Sequence, residues 1–454
     1  MSDHSRTIVI VGGGLSGTCM AIALHRTTPN HQIIVFEKNP EALGRGLAYH
    51  TDFTHQPLNV PAAGMSLFPD QPEHFVQWLQ KNKFRYKHLI PEVHAKAFVS
   101  RKVFGDYVTE ELEKAMHGTG SRIQVRIDQV RKIEKSESCF IVTAESQVQI
   151  TSDVVILGLG NFAPADIISD DPSIYDDPKY LSNPWTDTVY SGLTGYENIL
   201  LAGTGLSAVD VILGLRVRGF EGHITMCSRR GRLPLPHDLS HPPLKIEYPG
   251  NLSPKDWFLL VRKLIRNNRE QPWITVIEGL RPYTSRIWQS WNMEEKSYFL
   301  RKIRPFWEIA RHRIPHESFQ IVQELIQQGK LKIEVGTPRM LSADSTEITV
   351  QICGEQEPYC TERFSKVINC TGPESNWRKI KSELIQSLRD DGLITIDPTG
   401  LGIACTADGA VIGKYGEQID GLYCIGPMRK AQLWETTALR EIREQVVDLA
   451  KSLH

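Results

Sequence analysis

The sequence has no C-x-x-C pair and no histidine at zinc-ligand spacing beside any of its 8 cysteines, which excludes zinc ribbons and disfavours dithiol redox chemistry. Cys19, Cys139, Cys227, Cys353, Cys360, Cys370, Cys405 and Cys424 are scattered, mostly within apolar runs, and are expected to be buried and reduced. No run approaches the ~18 apolar residues of a membrane span, and no apolar leader precedes a small-residue cleavage site, so a cytoplasmic chain without a membrane partner is expected. Neither charge sign is in excess: 52 Lys plus Arg face 53 Asp plus Glu, which removes the field that a nucleic-acid partner requires. A P-loop and a G-x-S-x-G nucleophile turn are also missing. What remains is a chain of 454 residues, 41% hydrophobic and 23% charged, long enough for several globular domains.

Residues 7 to 17, TIVIVGGGLSG, form a β-branched run ending in Gly12, Gly14 and Gly17, and a helix-compatible stretch follows. In such a strand–turn–helix, Gly12 turns the chain, Gly14 lets backbone approach a pyrophosphate, and Gly17 permits close helix packing. Leu15 and Ser16 open the helix whose N–H groups face the phosphates. The next strand, QIIVFE, ends in Glu37, where a dinucleotide fold keeps a carboxylate for ribose hydroxyls; Lys38 follows it.

Residues 198 to 210, NILLAGTGLSAVD, repeat the pattern with Gly203, Gly205 and Ala208, and with Leu206 and Ser207 in the first helical turn. Here the second strand, HITMCS, ends in Ser228, Arg229 and Arg230 instead of an acid. Guanidinium groups at that place favour a 2′-phosphate, hence NADPH, over the alternative of solvated turn residues.

Two further apolar strands end in glycine turns, at Gly160 and Gly372, and are expected inside sheets. A helical character from about 250 to 325 starts at Ser253-Pro254, with Trp257, Leu260, Val261 and Leu264 at helical spacing. The mixed basic and aromatic run 298 to 313 reads as an amphipathic helix with a salt-bridged face, kinked at Pro305. His312 and His316 with Glu308, like His237 and His241, have metal-like spacing, but prolines break both registers and no metal is expected. After a Gly426-Pro427 turn, a last helix carries Leu439, Ile442, Val446 and Leu449 on one face.

With these motifs the chain resembles two-dinucleotide-binding-domain flavoproteins. More narrowly, GRGLAYHTDFTHQPLNVPAAGMSLFPDQPEHFVQWL (44 to 79), SRKVFGDYV (100 to 108), LRPYTSRIWQ (280 to 289), RPFWEIARHRIP (304 to 315) and WETTALREIREQ (434 to 445) are similar to signatures of the bacterial FAD/NAD(P)-binding protein family. That family is itself similar to class B flavin monooxygenases, including N-hydroxylating enzymes. The resemblance implies an α/β fold of two Rossmann-like domains with a helical insertion. FAD would occupy residues 1 to 185 and a returning part 366 to 454, and NADPH a domain of residues 186 to 365. FAD pyrophosphate would then lie on Gly12, Gly14 and Gly17, adenosine ribose on Glu37, and a flavin-side wall on Arg45, Gly46, Leu47, Ala48 and Tyr49 and on Asn59 to Phe68, including Met65 and Ser66. Arg101 is a phosphate candidate, and a closing helix would start at Thr436 and Thr437. Two departures stand out. Gly426-Pro427 replaces the Gly-Asp pair of many relatives, and the Baeyer-Villiger fingerprint after Gly160 is missing, which speaks against ketone oxygenation.

Flavin chemistry needs no protein nucleophile, since the protein supplies position, dryness and NADPH. The resulting expectation is an FAD- and NADPH-dependent monooxygenase using O2 on a small nucleophilic substrate, an amine among them. An NADPH-dependent reductase passing electrons to a small acceptor or partner protein is the alternative. A non-enzymatic FAD-binding interaction protein explains the second glycine motif poorly.

Overall fold

The computed structural model describes residues 5–51, 53–90, 92–355 and 359–454; residues 1–4 of the N-terminal run and Asp52, within the segment 44 to 79, lie outside them. The strand Thr7–Val11 stands between Gln32–Glu37 and Val154–Leu157 and runs parallel to both. Its Ile8, Val9, Ile10 and Val11 are all buried, as a strand covered on both faces requires. One face packs on the helices Leu15–Thr27, Arg101–His117 and Leu439–Ser452, the other on Val142, Leu384 and Met428. Gln418–Cys424 adds in parallel to Val154–Leu157, so residues near the C-terminus complete the sheet begun at the N-terminus.

A second sheet has the order Leu331–Val335, His223–Ser228, Asn198–Ala202, Lys366–Asn369, Tyr180–Leu181, and all its pairs are parallel. This sheet crosses both expected boundaries. Lys366–Asn369, assigned from sequence to the returning part, pairs with Asn198–Ala202, and Tyr180–Leu181 joins it from before residue 186. The reason is physical: a short apolar strand fits either buried parallel sheet, and only the packing of the chain decides which one accepts it. Each parallel sheet is accompanied by antiparallel strands, Val130–Ser152 for the first and Thr337–Phe364 for the second.

The helical insertion runs from Pro254–Asn267 to His316–Gln327. Ser253 caps its first helix by accepting from the Asp256 N–H at 3.2 Å, with Pro254 in the first turn. Pro305 does not kink a continuous helix. A π-helical segment, Phe299–Ile303, intervenes, and Pro305 sits in the first turn of a new helix, Arg304–Arg311, where its missing N–H costs nothing. The insertion packs on the returning segment through Trp257, Trp288, Trp291 and Phe299 against Leu401, Ala431 and Trp434. Arg281 fastens it to Glu441 at 2.8 Å. All 8 cysteines are free, but only Cys19, Cys227, Cys370 and Cys424 are buried as expected; Cys139, Cys353 and Cys405 are partly buried, and Cys360, on the outer strand of its sheet, is exposed. No helix among the described residues is long and apolar enough to cross a membrane.

Candidate functional site

Both glycine motifs make the expected strand–turn–helix. Leu15–Thr27 starts from Gly14 with neither a side-chain cap nor an acid in its first turn, and Leu206–Val217 starts from Gly205 in the same way. The leading N–H groups of both helices are therefore open to an anion. Gly12 has φ +103°, and a Cβ on Gly17 would run into the Gly12 carbonyl, so the crossing of turn and helix tolerates no side chain at either place. A Cβ on Gly14 would meet the Gly46 Cα at 3.1 Å. The residues present thus fit a pyrophosphate.

Glu37 is buried at the end of its strand. One carboxylate oxygen accepts from the Gly13 N–H at 2.9 Å and the other from the Asn39 N–H at 3.1 Å. Each oxygen keeps a lone pair, so the carboxylate is held in place and can still accept from a ribose.

Around this turn the structure sorts the remaining expectations. Arg45 is engaged by Asp106 at 2.9 Å, Tyr49 packs edge-on against Phe104, and Lys38, Leu47 and Ala48 point to the surface. The Asn59 carbonyl accepts from His237 Nε2 at 2.9 Å. Met65 and Ser66 do not face an open groove. Met65 belongs to the core and Ser66 is fully buried, its hydroxyl donating to the Gln71 carbonyl at 2.7 Å. Arg101 is likewise not a free phosphate ligand, because Asp210 neutralises it at 2.9 Å.

The returning segment reaches the first glycine helix directly. At Gly426, φ +73°, a Cβ would lie 2.6 Å from Ser16 Oγ, and its N–H donates to Gln445 Oε1 at 2.8 Å. The closing helix starts at Leu439, three residues after the expected Thr436, since the turn at Trp434, φ +66°, carries the chain into an extended lead. Thr436 is buried in that lead with an unpartnered hydroxyl, a group suited to a ligand contact. Leu439, Ile442, Val446 and Leu449 are buried as their spacing predicts.

A cleft of about 700 Å³ opens at the second glycine motif. It brings together Gly203, Gly205, Leu206, Ser207, Ser228, Arg229 and Arg230 with Gly160, Gly372, Pro427 and Thr437 from the other segments; Ala208 is buried behind the loop. Ser228 Oγ lies 2.9 Å from the Thr204 hydroxyl and accepts from the Gly231 N–H at 3.1 Å. Arg229 and Arg230 are exposed and have no carboxylate partner among the described residues.

The cleft also contains residues that motif reading missed: Arg232, Trp307, His312, Lys430, Trp434 and Glu435. Crowding by surrounding protein lowers the pKa of His312 below that of free imidazole, against the pull of Glu435, although the side chain keeps an exposed face in the cleft, and burial lowers Lys430. Trp307 Nε1 donates to Glu435 Oε1 at 2.7 Å. Four of the six lie in the quoted segments 304 to 315 and 434 to 445, so the signal was their recurrence in a resemblance rather than any spacing. No group of three or more potential metal ligands is found among the described residues.

Residues 9–162 match a family described as FAD-NAD(P)-binding. No curated protein sequence matches the chain. Its fold is similar to that of an ornithine N-hydroxylase from Kutzneria sp. 744, with TM-score 0.69, 13% identity and 99% of each chain covered. It is similar to L-lysine 6-monooxygenase from Pseudomonas syringae, with TM-score 0.67, 16% identity and 99% of each chain covered. Thioredoxin reductase from Lactococcus lactis is a more distant likeness, with TM-score 0.54, 11% identity, 99% of this chain and 97% of that one. The fold is therefore the two-dinucleotide-binding-domain flavoprotein fold.

Proposed function

We propose that the chain is an FAD- and NADPH-dependent monooxygenase that hydroxylates the nitrogen of a small amine. The observation that carries this reading is the composition of the cleft. The second glycine loop and two unpaired arginines line it together with Pro427 and Thr437, which belong to the segment closing on the first glycine helix. Arg229 and Arg230 would hold the 2′-phosphate of NADPH bound along the second motif, and the uncapped Leu15–Thr27 helix, Glu37 and Thr436 would hold FAD.

Bound FAD would supply the redox chemistry that links NADPH to O2. The overall reaction is R–NH2 + O2 + NADPH + H⁺ → R–NHOH + NADP⁺ + H2O. The chain's own residues have three tasks. Arg229 and Arg230 fix the nucleotide through charge-assisted bonds. Trp307 and Trp434 exclude water from the inner cleft. The lowered pKa of His312 leaves the imidazole uncharged at neutral pH, so that it adds no positive charge to the part of the cleft an amine would enter. Support from fold likeness comes from neighbours whose names state N-hydroxylation of ornithine and oxygenation of lysine.

The test is to purify the chain, record its flavin absorbance, reduce it anaerobically with NADPH, and count hydroxylated amine and hydrogen peroxide per NADPH in air. Formation of the hydroxylamine at the expense of peroxide is the expected result. If all electrons appear as peroxide whichever amine is supplied, the monooxygenase reading fails and electron transfer to another acceptor takes its place.

A further inference from the structure

The helical insertion lines a second, partly open cavity of about 210 Å³ that no part of the nucleotide chemistry uses. Its walls are mostly carbon. Trp257, Trp288, Trp291, Phe299, Trp307 and Trp434 contribute ring faces, and Val261, Ile265 and Ile277 contribute branched side chains. Most polar atoms of the lining are spent elsewhere, while the indole N–H groups of Trp257 and Trp434 are buried without a partner. Trp288 and Trp291 donate their indole N–H groups to the carbonyls of Ala431 at 2.8 Å and Leu252 at 2.9 Å. The Thr284 hydroxyl donates to the Arg281 carbonyl at 3.1 Å, and Trp307 donates to Glu435. Such a lining favours an uncharged, largely apolar group and penalises a cation, which would meet indole N–H donors and the Arg262 guanidinium but no carboxylate.

Two tryptophans join the cavity to the cleft. Trp307 and Trp434 line both. Trp434 stands at their junction in a left-handed conformation, φ +66°, that an aromatic residue rarely adopts; strain of this kind persists where the surroundings demand it. It is held there by Trp288 at 5.1 Å and Phe299 at 5.0 Å between ring centroids. The π-helical turn Phe299–Ile303 supplies Phe299 and Ile303 to the wall, and such turns recur at functional sites because they re-aim side chains.

We infer that this cavity is the substrate's second subsite, taking an uncharged aromatic or branched hydrocarbon group carried by the amine whose nitrogen lies in the cleft. The inference rests on the function proposed above and narrows its substrate class. In ornithine and lysine, named for two structural neighbours, the end opposite the side-chain amine is a charged amino-acid head, whose ammonium finds no carboxylate in this wall. An engineered apolar cavity of about 150 Å³ admits benzene, so this one has room for a group of about indole size.

The experiment is isothermal titration of the full chain with indole, tryptamine and cadaverine, in the wild type and in Ile265→Trp and Val261→Phe, two variants that fill the cavity from one helix to different extents. Circular dichroism and Tm identify any variant that has failed to fold. The expected result is saturable binding of indole, tryptamine bound about tenfold or more tightly than cadaverine, and a loss of about tenfold or more for indole and tryptamine in the folded filled variants. No indole binding, or indole binding untouched by both fillings, overturns the inference. Flavin content and NADPH reduction are measured on the same preparations: a chain that takes up no flavin overturns the proposed function, while the isotherms are read independently of it.

Discussion

The guanidinium of Arg101, which opens the helix Arg101–His117 of the first unit, lies 2.9 Å from the carboxylate of Asp210 on the second glycine helix, and both side chains are almost fully buried. Arg101 also donates to the Pro57 carbonyl at 3.2 Å. Burial pushes the pKa of Asp210 up and Arg101 opposes it, so the pair holds the two nucleotide units together only while both members are present.

Arg101→Ala is accordingly expected to cost about 3 to 5 kcal/mol, because it leaves a buried carboxylate unpaired. Arg101→Met combined with Asp210→Leu restores most of that loss, since no uncompensated charge remains. Urea denaturation of the wild type and the two variants measures both effects. A single variant as stable as the wild type would show that water reaches Asp210.

This pair also marks what could not be read from sequence. The glycine turns are largely local: Gly17 closes on the Gly12 carbonyl five residues away, although Gly12 also packs on the distant Gly158 carbonyl, and the exchange of Glu37 for Ser228, Arg229 and Arg230 is read at one strand end. Arg101 and Asp210 are 109 residues apart and meet only because two sheets are docked, so Arg101 read as a free cation. Lys366–Asn369 was misallocated for a related reason. An apolar strand carries no mark of which parallel sheet will accept it. The aromatic cavity was hidden because helical spacing identifies a buried face but not a space left between several such faces.

A pH dependence follows from His237. Burial holds its pKa at about 4, against 6.5 in the unfolded chain, while its Nε2 donates to the Asn59 carbonyl. As pH falls below 6.5 the unfolded chain takes up the proton first, so stability present above 6.5 is progressively lost down to about 4. His237→Gln keeps a donor for Asn59 but does not titrate. Its Tm should fall less steeply across this window than that of the wild type; parallel curves would remove His237 as a cause. Some slope persists in the variant, since burial also lowers His55 to about 4.

Gly14→Val is expected to abolish flavin binding. The Cβ alone would stand 3.1 Å from the Gly46 Cα, and the branched methyl groups would extend into the space before the open helix N-terminus, where a pyrophosphate must sit. The check is the ratio of flavin to protein absorbance after purification, with far-ultraviolet circular dichroism as the folding control. Folded, fully loaded Gly14→Val protein would move the FAD site away from this turn.

The last expectation concerns nucleotide choice, and it depends on charge at the end of His223–Ser228. A 2′-phosphate needs donors that no carboxylate has already claimed. Arg229 and Arg230 meet that condition, whereas Ser228 is largely committed to Thr204 and Gly231. Arg232 is less available than its neighbours, because its guanidinium lies over the Phe306 ring at 4.5 Å. An NAD-binding site would carry at this strand end an acid for the ribose hydroxyls, and that acid would repel the phosphate. Arg229→Ala should therefore weaken NADPH by roughly tenfold to a hundredfold, the range of one lost charge-assisted contact, and leave NADH almost unchanged. Arg230→Ala acts in the same direction. The measurement is the rate of anaerobic flavin reduction as a function of each nucleotide's concentration. Equal losses for the two nucleotides, or a wild type that prefers NADH, would assign these arginines to the solvated surface and leave the preference of the second glycine motif to the backbone alone.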